Sequence, residues 1–186
     1  MAEDVRIFKT KRTIEAAFIK LLQKKDFDSI TIKNICETSL TSRSTFYSHY
    51  VDKYDLLEGI VRYYAGIVGK KAEMRFLQAE SSGVGKIIGD VSQIFSHHKE
   101  EIKTLLKVHV PRGDLREEIE KILFSQCRLY LQEHKKITDV SLDLLANLYV
   151  ANVFVIMTWT LEKGIDEKAI RFADKMQHYF FVELSL

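Results

Sequence analysis

A short segment that begins at Ser42 carries side chains suited to contact with another molecule. Ser42 is a preferred helix N-cap residue, and Phe46 and Tyr50 lie four positions apart, on one face of a helix. Arg43 and Tyr47 share a different face of the same helix. The spacing therefore predicts one face for packing and one for contact, and the arginine has the donor geometry for a bidentate bond to guanine.

A second short helix is predicted just upstream, where Thr31 precedes apolar residues at Ile35 and Cys36 and the polar pair 38–39 ends the pattern. Two short helices separated by about four turn residues, the second with an arginine near its N-terminus, are typical of a helix-turn-helix motif. The second helix of such a motif enters the major groove of DNA. Basic residues cluster in two places that are predicted to lie ahead of the first helix and within the motif, as expected for a surface that binds DNA. They are Arg6, Lys9, Lys11 and Arg12 in the first place and Lys33, Arg43 and Lys53 in the second.

These residues resemble the N-terminal domain of the tetracycline-repressor (TetR) family of bacterial transcriptional regulators over residues 8–60. The resemblance implies a homodimeric repressor that binds a palindromic operator in double-stranded DNA and is released by a small-molecule effector. One departure is Leu40, which stands where the family usually has glycine, in a turn position with positive φ that leucine enters only at a cost. The resemblance rests on Ile30-Thr31-Ile32, Ile35-Cys36-Glu37, Ser42 to Tyr50, Asp52-Lys53 and Leu56-Leu57.

The predicted DNA-binding residues divide into two groups. Arg43, Ser44 and Tyr47 face base edges in this interpretation, and Ser42 caps their helix. An alternative for Tyr47 and His49 is that they simply pack against the protein. Contacts to phosphates that fix the register are expected from Thr31, Lys33, Thr45, Ser48, His49 and Lys53.

The composition favours an all-helical protein with about nine helices, because 186 residues contain only 1 Pro and 8 Gly and 46% of them are hydrophobic. We expect a helix-turn-helix DNA-binding domain over residues 1–52 and a helical effector-binding and dimerisation domain over residues 53–186. The main helices are predicted at Lys9–Lys25, Lys53 to about Leu77, Ile87–Phe95, from Asp114, Leu142–Lys163 and from Asp166, with Asp52 and Asp166 as caps.

The sequence also argues against several other classes of protein. Its N-terminus is acidic where a signal peptide is basic, and no apolar run approaches the ~18 residues of a membrane span, so we expect a soluble cytoplasmic protein with no membrane partner. Cys36 and Cys127 have no short Cys or His spacing, so no metal or cofactor is expected. No Gly-rich phosphate loop or nucleophile motif indicates an enzyme.

The segment Leu142–Lys163 is apolar nearly all round, which requires burial on every side and favours a partner subunit. The predicted dimer interface includes Leu148, Phe154, Trp159 and Phe180. An apolar pocket for an effector is expected to draw on Tyr63, Ile67, Phe95, His109, Tyr130, Phe154 and Met157.

A second hypothesis is a protein with this fold that no longer reads an operator and acts through a protein partner. Leu40 in the turn supports it. The presence of Arg43, Tyr47 and Lys53 argues against it, because a surface released from DNA has no need of that set.

Overall fold

The computed structural model describes residues 2–77, 97–134 and 140–182, and within these ranges its regular structure is entirely helical. The all-helical prediction is confirmed, while the helix predicted at Ile87–Phe95 lies outside the described residues. The helices are α1 (Ala2–Leu22), α2 (Ile32–Ser39), α3 (Arg43–Tyr47), α4 (Lys53–Leu77), α5 (Lys99–Leu105), α6 (Leu115–His134), α7 (Leu142–Lys163) and α8 (Glu167–Val182), with a 3₁₀ turn at Phe27–Ser29.

The first helix begins earlier than the sequence predicts. It starts at Ala2, so the basic residues from Arg6 to Arg12 lie on α1 and not ahead of it. The segment contains neither Gly nor Pro, and adding a residue to an existing helix is much easier than starting one. The hydroxyls of Thr10 and Thr13 donate to carbonyl oxygens four residues earlier, each at 2.9 Å.

The chain forms two compact units. Unit 1 consists of Met1–Tyr64 with Glu100–Leu115, and unit 2 of Ala65–Lys99 with Arg116–Leu186, so the boundary falls inside α4. The boundary between these units differs from the predicted domain boundary at residue 52, because that prediction divides the chain by function and not by packing. That functional division stays a prediction.

The core of unit 1 places α2 and α3 against α1 and the start of α4. Phe27 in the 3₁₀ turn is buried, with its ring edge-on to Phe18 at 6.2 Å and to Tyr54 at 4.9 Å between centroids. Asp52 caps α4 as predicted, because its Oδ1 accepts from the backbone N–H groups of Tyr54 and Asp55, each at 2.8 Å. Fully buried side chains in this core include Ile14, Phe18, Ile35, Phe46, Leu56 and Leu57.

The loop after α5 is fastened to α4 inside unit 1. The Arg112 guanidinium makes two bonds to the Glu58 carboxylate, at 2.7 and 3.2 Å, and this contact lowers the pKa of Glu58. Gly113 has φ +90°, and a Cβ there would lie 2.8 Å from Cγ of Leu57. Glycine is therefore required at this position both by the backbone conformation and by the close approach to α4.

Unit 2 packs α6, α7 and α8 with the second half of α4. α4 and α6 are in contact at Gly69, whose carbonyl accepts from Nε2 of Gln126 at 3.2 Å. Gly164 ends α7 with φ +89°, and Asp166 caps α8 as predicted, since its Oδ1 accepts from the N–H of Lys168 at 2.8 Å.

One apolar face of α7 is not covered within unit 2. Phe154, which we expected to be exposed as part of the dimer interface, is only 4% exposed and lies under the guanidinium of Arg116, 4.9 Å from its ring centroid. The expected exposure was wrong, because successive residues of an α-helix are turned by about 100° and the exposed position belongs to Val155. The dimer interface itself stays a prediction. The side chain of Phe180 lies outside the described part. The large exposed apolar residues of α7 are Leu144, Leu148, Val155 and Trp159.

Within the described ranges, α7 is long and apolar enough to cross a membrane by length and composition, with a mean hydropathy of 1.7 in its most apolar window. The expectation that no segment approaches a membrane span was therefore wrong, because the residues between Asp143 and Glu162 carry no charge. However, 44% of that window is buried within the protein, and α7 packs against α8. The core helix of a soluble protein meets the same criteria.

Candidate nucleic-acid interface

The first helix of the motif, α2, is fixed at its N-terminus by the predicted cap. Oγ1 of Thr31 accepts from the N–H of Asn34, and Oδ1 of Asn34 accepts from the N–H of Thr31, both at 3.2 Å. This reciprocal pair satisfies two N–H groups that a helix start leaves unpaired. Ile35 and Cys36 point into the core. The Thr31 hydroxyl keeps its own hydrogen as a donor for a phosphate.

The turn between α2 and α3 has a left-handed residue, and that residue is Leu40. Its φ of 54° and ψ of 37° are the values that glycine adopts readily, and for a residue with a Cβ they cost about 1–2 kcal/mol. The N–H groups of Leu40 and Thr41 both donate to the carbonyl of Cys36. The buried hydroxyl of Ser39 contacts the Thr41 hydroxyl at 2.7 Å. These bonds hold the turn in a glycine-type conformation despite the leucine.

The second helix, α3, begins at the predicted N-cap. Oγ of Ser42 accepts from the N–H of Thr45 at 3.0 Å, and the Ser48 hydroxyl donates to the carbonyl of Thr45 at 2.8 Å. Helical hydrogen bonding continues past the last α3 residue, because the N–H of Tyr50 donates to the carbonyl of Phe46 at 3.0 Å. Phe46 is fully buried and Tyr50 is 6% exposed, so the predicted packing face is confirmed.

The opposite face of α3 is open to solvent. Arg43, Ser44 and Ser48 are exposed, and Tyr47 is 56% exposed although its ring edge touches Phe46. The packing alternative for Tyr47 is therefore not supported, because more than half of its side chain remains available to a partner. His49 is exposed.

Tyr50 fastens this helix to α1 through contacts that sequence reasoning missed. Its hydroxyl donates to Oε1 of Glu15 at 3.0 Å, and the Lys11 ammonium lies 5.3 Å from its ring centroid. Burial, and then the neighbouring Glu15 carboxylate, raise the pKa of the Tyr50 phenol. A signal was present in the sequence, since Glu15 directly follows Ile14, the first residue of the apolar pattern that predicts α1.

Lys53 has a different environment from the one the resemblance implies. Its Nζ donates to the carbonyl oxygens of Phe27 (2.9 Å), Asp28 (3.1 Å) and Ile30 (3.0 Å), and it lies 4.5 Å from the centroid of the Phe27 ring. An ammonium group has three N–H donors, so all of them are engaged within the protein. A phosphate contact by Lys53 stays a prediction, and it would require these bonds to be shared or broken.

Lys33 and Arg43 lie in one surface depression of about 520 Å³ in unit 1. The side chain of Lys33 is 67% exposed, and its ammonium makes a 3.8 Å ion pair with the equally open Glu37. Exposed pairs of this kind contribute little to stability, so the Lys33 ammonium is available to a phosphate. Leu40 lines the same depression.

The residues predicted for an effector pocket are distributed over both units, and the pocket itself stays a prediction. Tyr63 and His109 belong to unit 1, where they line two different depressions. Tyr130 and Met157 belong to unit 2, where Tyr130 stacks on His134 with ring centroids 4.3 Å apart and Met157 is buried. Ile67 and Phe154 also belong to unit 2, and Phe95 lies outside the described residues.

Comparison with known proteins agrees with this geometry. The family model described as bacterial regulatory proteins, tetR family, matches residues 14–60. The uncharacterized HTH-type transcriptional regulator YxbF of Bacillus subtilis (strain 168) is 37% identical over 60 residues, which are 32% of this chain and 16% of that regulator. The match therefore spans about a sixth of that relative's length.

Solved structures share the fold over nearly the whole chain. A TetR transcriptional regulator from Streptococcus agalactiae 2603V has 25% sequence identity and a TM-score of 0.62, covering 95% of this chain and 97% of that one. A putative TetR-family transcriptional regulator from Syntrophomonas wolfei str. Goettingen has 16% identity and a TM-score of 0.68, covering 92% and 94%.

Two capped helices joined by a tight turn, with an open basic and aromatic face on the second, define a helix-turn-helix DNA-binding protein. Residues 14–60 therefore carry the DNA-binding domain of bacterial regulatory proteins of the tetR family, and the chain shares its fold with solved TetR-family regulators. Regulators of this family are generally not enzymes.

Proposed function

We propose that this protein is a cytoplasmic homodimeric repressor in which α3 of each subunit reads one half-site of a palindromic operator. The observation that carries the proposal is the open face of α3, where Arg43, Ser44 and Tyr47 project from a helix held by its Ser42 cap and the buried Phe46. Base edges are read by side chains near the N-terminus of a recognition helix. Arg43 is the first residue of α3 and has the geometry for a bidentate bond to guanine.

The uncovered apolar side chains of unit 2 support a dimer. Leu144, Leu148, Val155 and Trp159 lie along one face of α7, each between 47% and 63% exposed. α8 adds exposed Phe172 and Met176. Large contiguous apolar surfaces of this kind mark protein interfaces, and a dimer of two-fold symmetry matches a palindromic operator.

Release by a small-molecule effector is part of the proposal, and unit 2 offers one place for it. A depression of about 570 Å³ lies beside α6 and α7 and is lined by Arg116, Phe124, Asn147 and Phe154 among others. It combines apolar walls with a few polar groups, as small-molecule sites do. An effector there releases DNA only if it binds the free dimer and the operator-bound dimer unequally.

The decisive experiment separates reading of bases from contact with phosphates. Arg43→Ala should lose roughly 1–3 kcal/mol at one base pair of each half-site and relax the preference there, with little change in non-specific affinity. Lys33→Ala is the matched variant, and it should weaken binding to all duplexes alike. It should also lower the salt slope by about one for each phosphate that is no longer neutralised, hence by about two for a dimer. Both variants are measured on a selected operator and a scrambled duplex over a salt series.

Two results would contradict the proposal in different ways. If Arg43→Ala weakens binding to both duplexes equally, Arg43 contacts phosphate and the reading face is misassigned. If the unmodified protein prefers no duplex, it does not read an operator, and action through a protein partner becomes the better hypothesis.

A further inference from the structure

Leu40 is unfavourable for the free protein in two separate respects. Its backbone has φ 54°, which glycine adopts more readily, and its side chain is 93% exposed. The leucine side chain gains almost no burial, so it does not offset the backbone strain. A glycine at this position would avoid both costs. The residue therefore has no stabilising role in the unbound protein, and its contribution must come from something that covers it.

The surroundings of Leu40 indicate what covers it. Leu40 lines the same surface depression as Lys33 and Arg43, and it lies three residues before Arg43 in the chain. Two exposed cations there attract a polyanion, and the carboxylate in the lining, Glu37, makes an open ion pair with Lys33. A duplex that places a phosphate near Lys33 and a base edge near Arg43 brings its major groove to Leu40.

The major groove presents one apolar group, the 5-methyl group of thymine. We propose that Leu40 is a specificity-determining residue whose side chain packs against a thymine methyl group in each half-site of the operator. This inference rests on the proposed function and adds an apolar contact to the polar one assigned to Arg43. It also explains the departure from glycine, because the strained backbone places the leucine side chain outside the protein and toward the groove.

The test uses the full-length protein and a duplex selected by it from random sequence. Each thymine is replaced in turn by uracil, which lacks only the methyl group, and affinities are measured for the parent, Leu40→Gly and Leu40→Met. We expect one thymine per half-site at which uracil lowers the parent's affinity about fourfold, because one methyl-sized apolar contact is removed. Replacement in both half-sites removes two such contacts and should lower the affinity about sixteenfold. Leu40→Gly should bind the thymine operator more weakly and be indifferent to uracil at that position. Leu40→Met, which keeps an apolar side chain of similar reach, should remain sensitive to uracil.

Thermal unfolding of the same variants separates the contact from a structural effect. Leu40→Gly relieves backbone strain, so its melting temperature should rise while its operator affinity falls, a combination that damage to the fold does not produce. If Leu40→Gly has the same uracil profile as the parent, the proposed contact is wrong although operator reading stands. If the parent prefers no duplex at all, the proposed function and this contact fail together.

Discussion

At the scale of single residues, the ammonium group of Lys53 is bonded within unit 1. Its ammonium bonds to three carbonyl oxygens in the segment that joins α1 to α2. Removing it leaves these acceptors without a charged donor, so Lys53→Ala should lower the free energy of unfolding by about 1–3 kcal/mol. Lys33→Ala is the control and should change it by less than ~0.5 kcal/mol, because the ion pair of Lys33 is open to solvent.

Urea denaturation of the parent and the two lysine variants measures this difference. Equal midpoints for Lys53→Ala and the parent would show that the three bonds contribute nothing. In that case Lys53 is free to serve as a phosphate contact, as the family resemblance implies.

The buried tyrosines predict a loss of stability at alkaline pH. Burial and a carboxylate neighbour raise the pKa of Tyr50, and of Tyr64 beside Glu101, above the ordinary value of 10.0. When the pH is below this ordinary pKa, both folded and unfolded chains keep the phenolic protons, so pH does not change the free energy of unfolding through these two tyrosines. Above it the unfolded chain loses protons that the folded chain retains, so the free energy of unfolding falls by up to about 1.4 kcal/mol per pH unit for each phenol.

Unfolding midpoints measured between about pH 8 and pH 11 check this sign. Tyr50→Phe removes one of the two phenols, so its stability should fall less steeply with pH than that of the parent. A slope unchanged by the substitution would mean that the phenol of Tyr50 ionises alike in the folded and unfolded chains.

The sequence predicts local contacts of residues better than distant ones. The caps by Thr31, Ser42 and Asp52 are predicted correctly because each bonds to a backbone group two or three positions away. The Lys53 bonds and the contact between Tyr50 and Glu15 join residues 23 to 35 positions apart. Such contacts depend on how helices pack, which hydrophobic periodicity does not specify.

At the scale of elements, α4 contains two glycines with different surroundings. A Cβ added at Gly66 meets nothing within 4 Å among the described residues, whereas at Gly69 it would lie 3.1 Å from Cγ2 of Ile122 on α6. Gly66→Ala should raise the free energy of unfolding by about 0.5–1 kcal/mol, because alanine has less conformational entropy to lose in a helix. Gly69→Ala should be less stable than Gly66→Ala, since α6 must give way.

Chemical denaturation of the two alanine variants tests this order. Equal stabilisation would mean that α4 and α6 have room to separate at Gly69 without loss of packing. The start of α4 at Lys53 and the bounds of α7 at Leu142 and Lys163 agree with the sequence prediction, because the Asp52 cap, Gly164 and hydrophobic periodicity specify them.

At the scale of the whole molecule, the exposed apolar face of α7 predicts that the isolated subunit associates. Trp159→Glu places a charge on this face and should shift the protein toward monomer or aggregate. Asn147→Glu is the matched control, because Asn147 is exposed on the same helix but about 90° from the face. Sedimentation equilibrium of the three proteins at micromolar concentration distinguishes them.

A parent protein that sediments as a monomer under those conditions would contradict the dimer. The sequence predicts which helix associates, since α7 is apolar nearly all round, but it does not predict which side remains open. Phe154 and Val155 are both large and apolar, and only the packing of α6 against α7 decides that Phe154 is the buried one.

The bonds of Lys53 also make this lysine a chemical reporter of folding. An acylating reagent must reach the nitrogen of an amine, and that of Lys53 is surrounded by three carbonyl oxygens and the Phe27 ring. Lys33, which is open to solvent, should be labelled in the native protein, whereas Lys53 should be labelled only when the segment from Phe27 to Ile30 opens. The ratio of labelling at the two lysines then measures how often the helix-turn-helix comes apart in a population of otherwise native molecules.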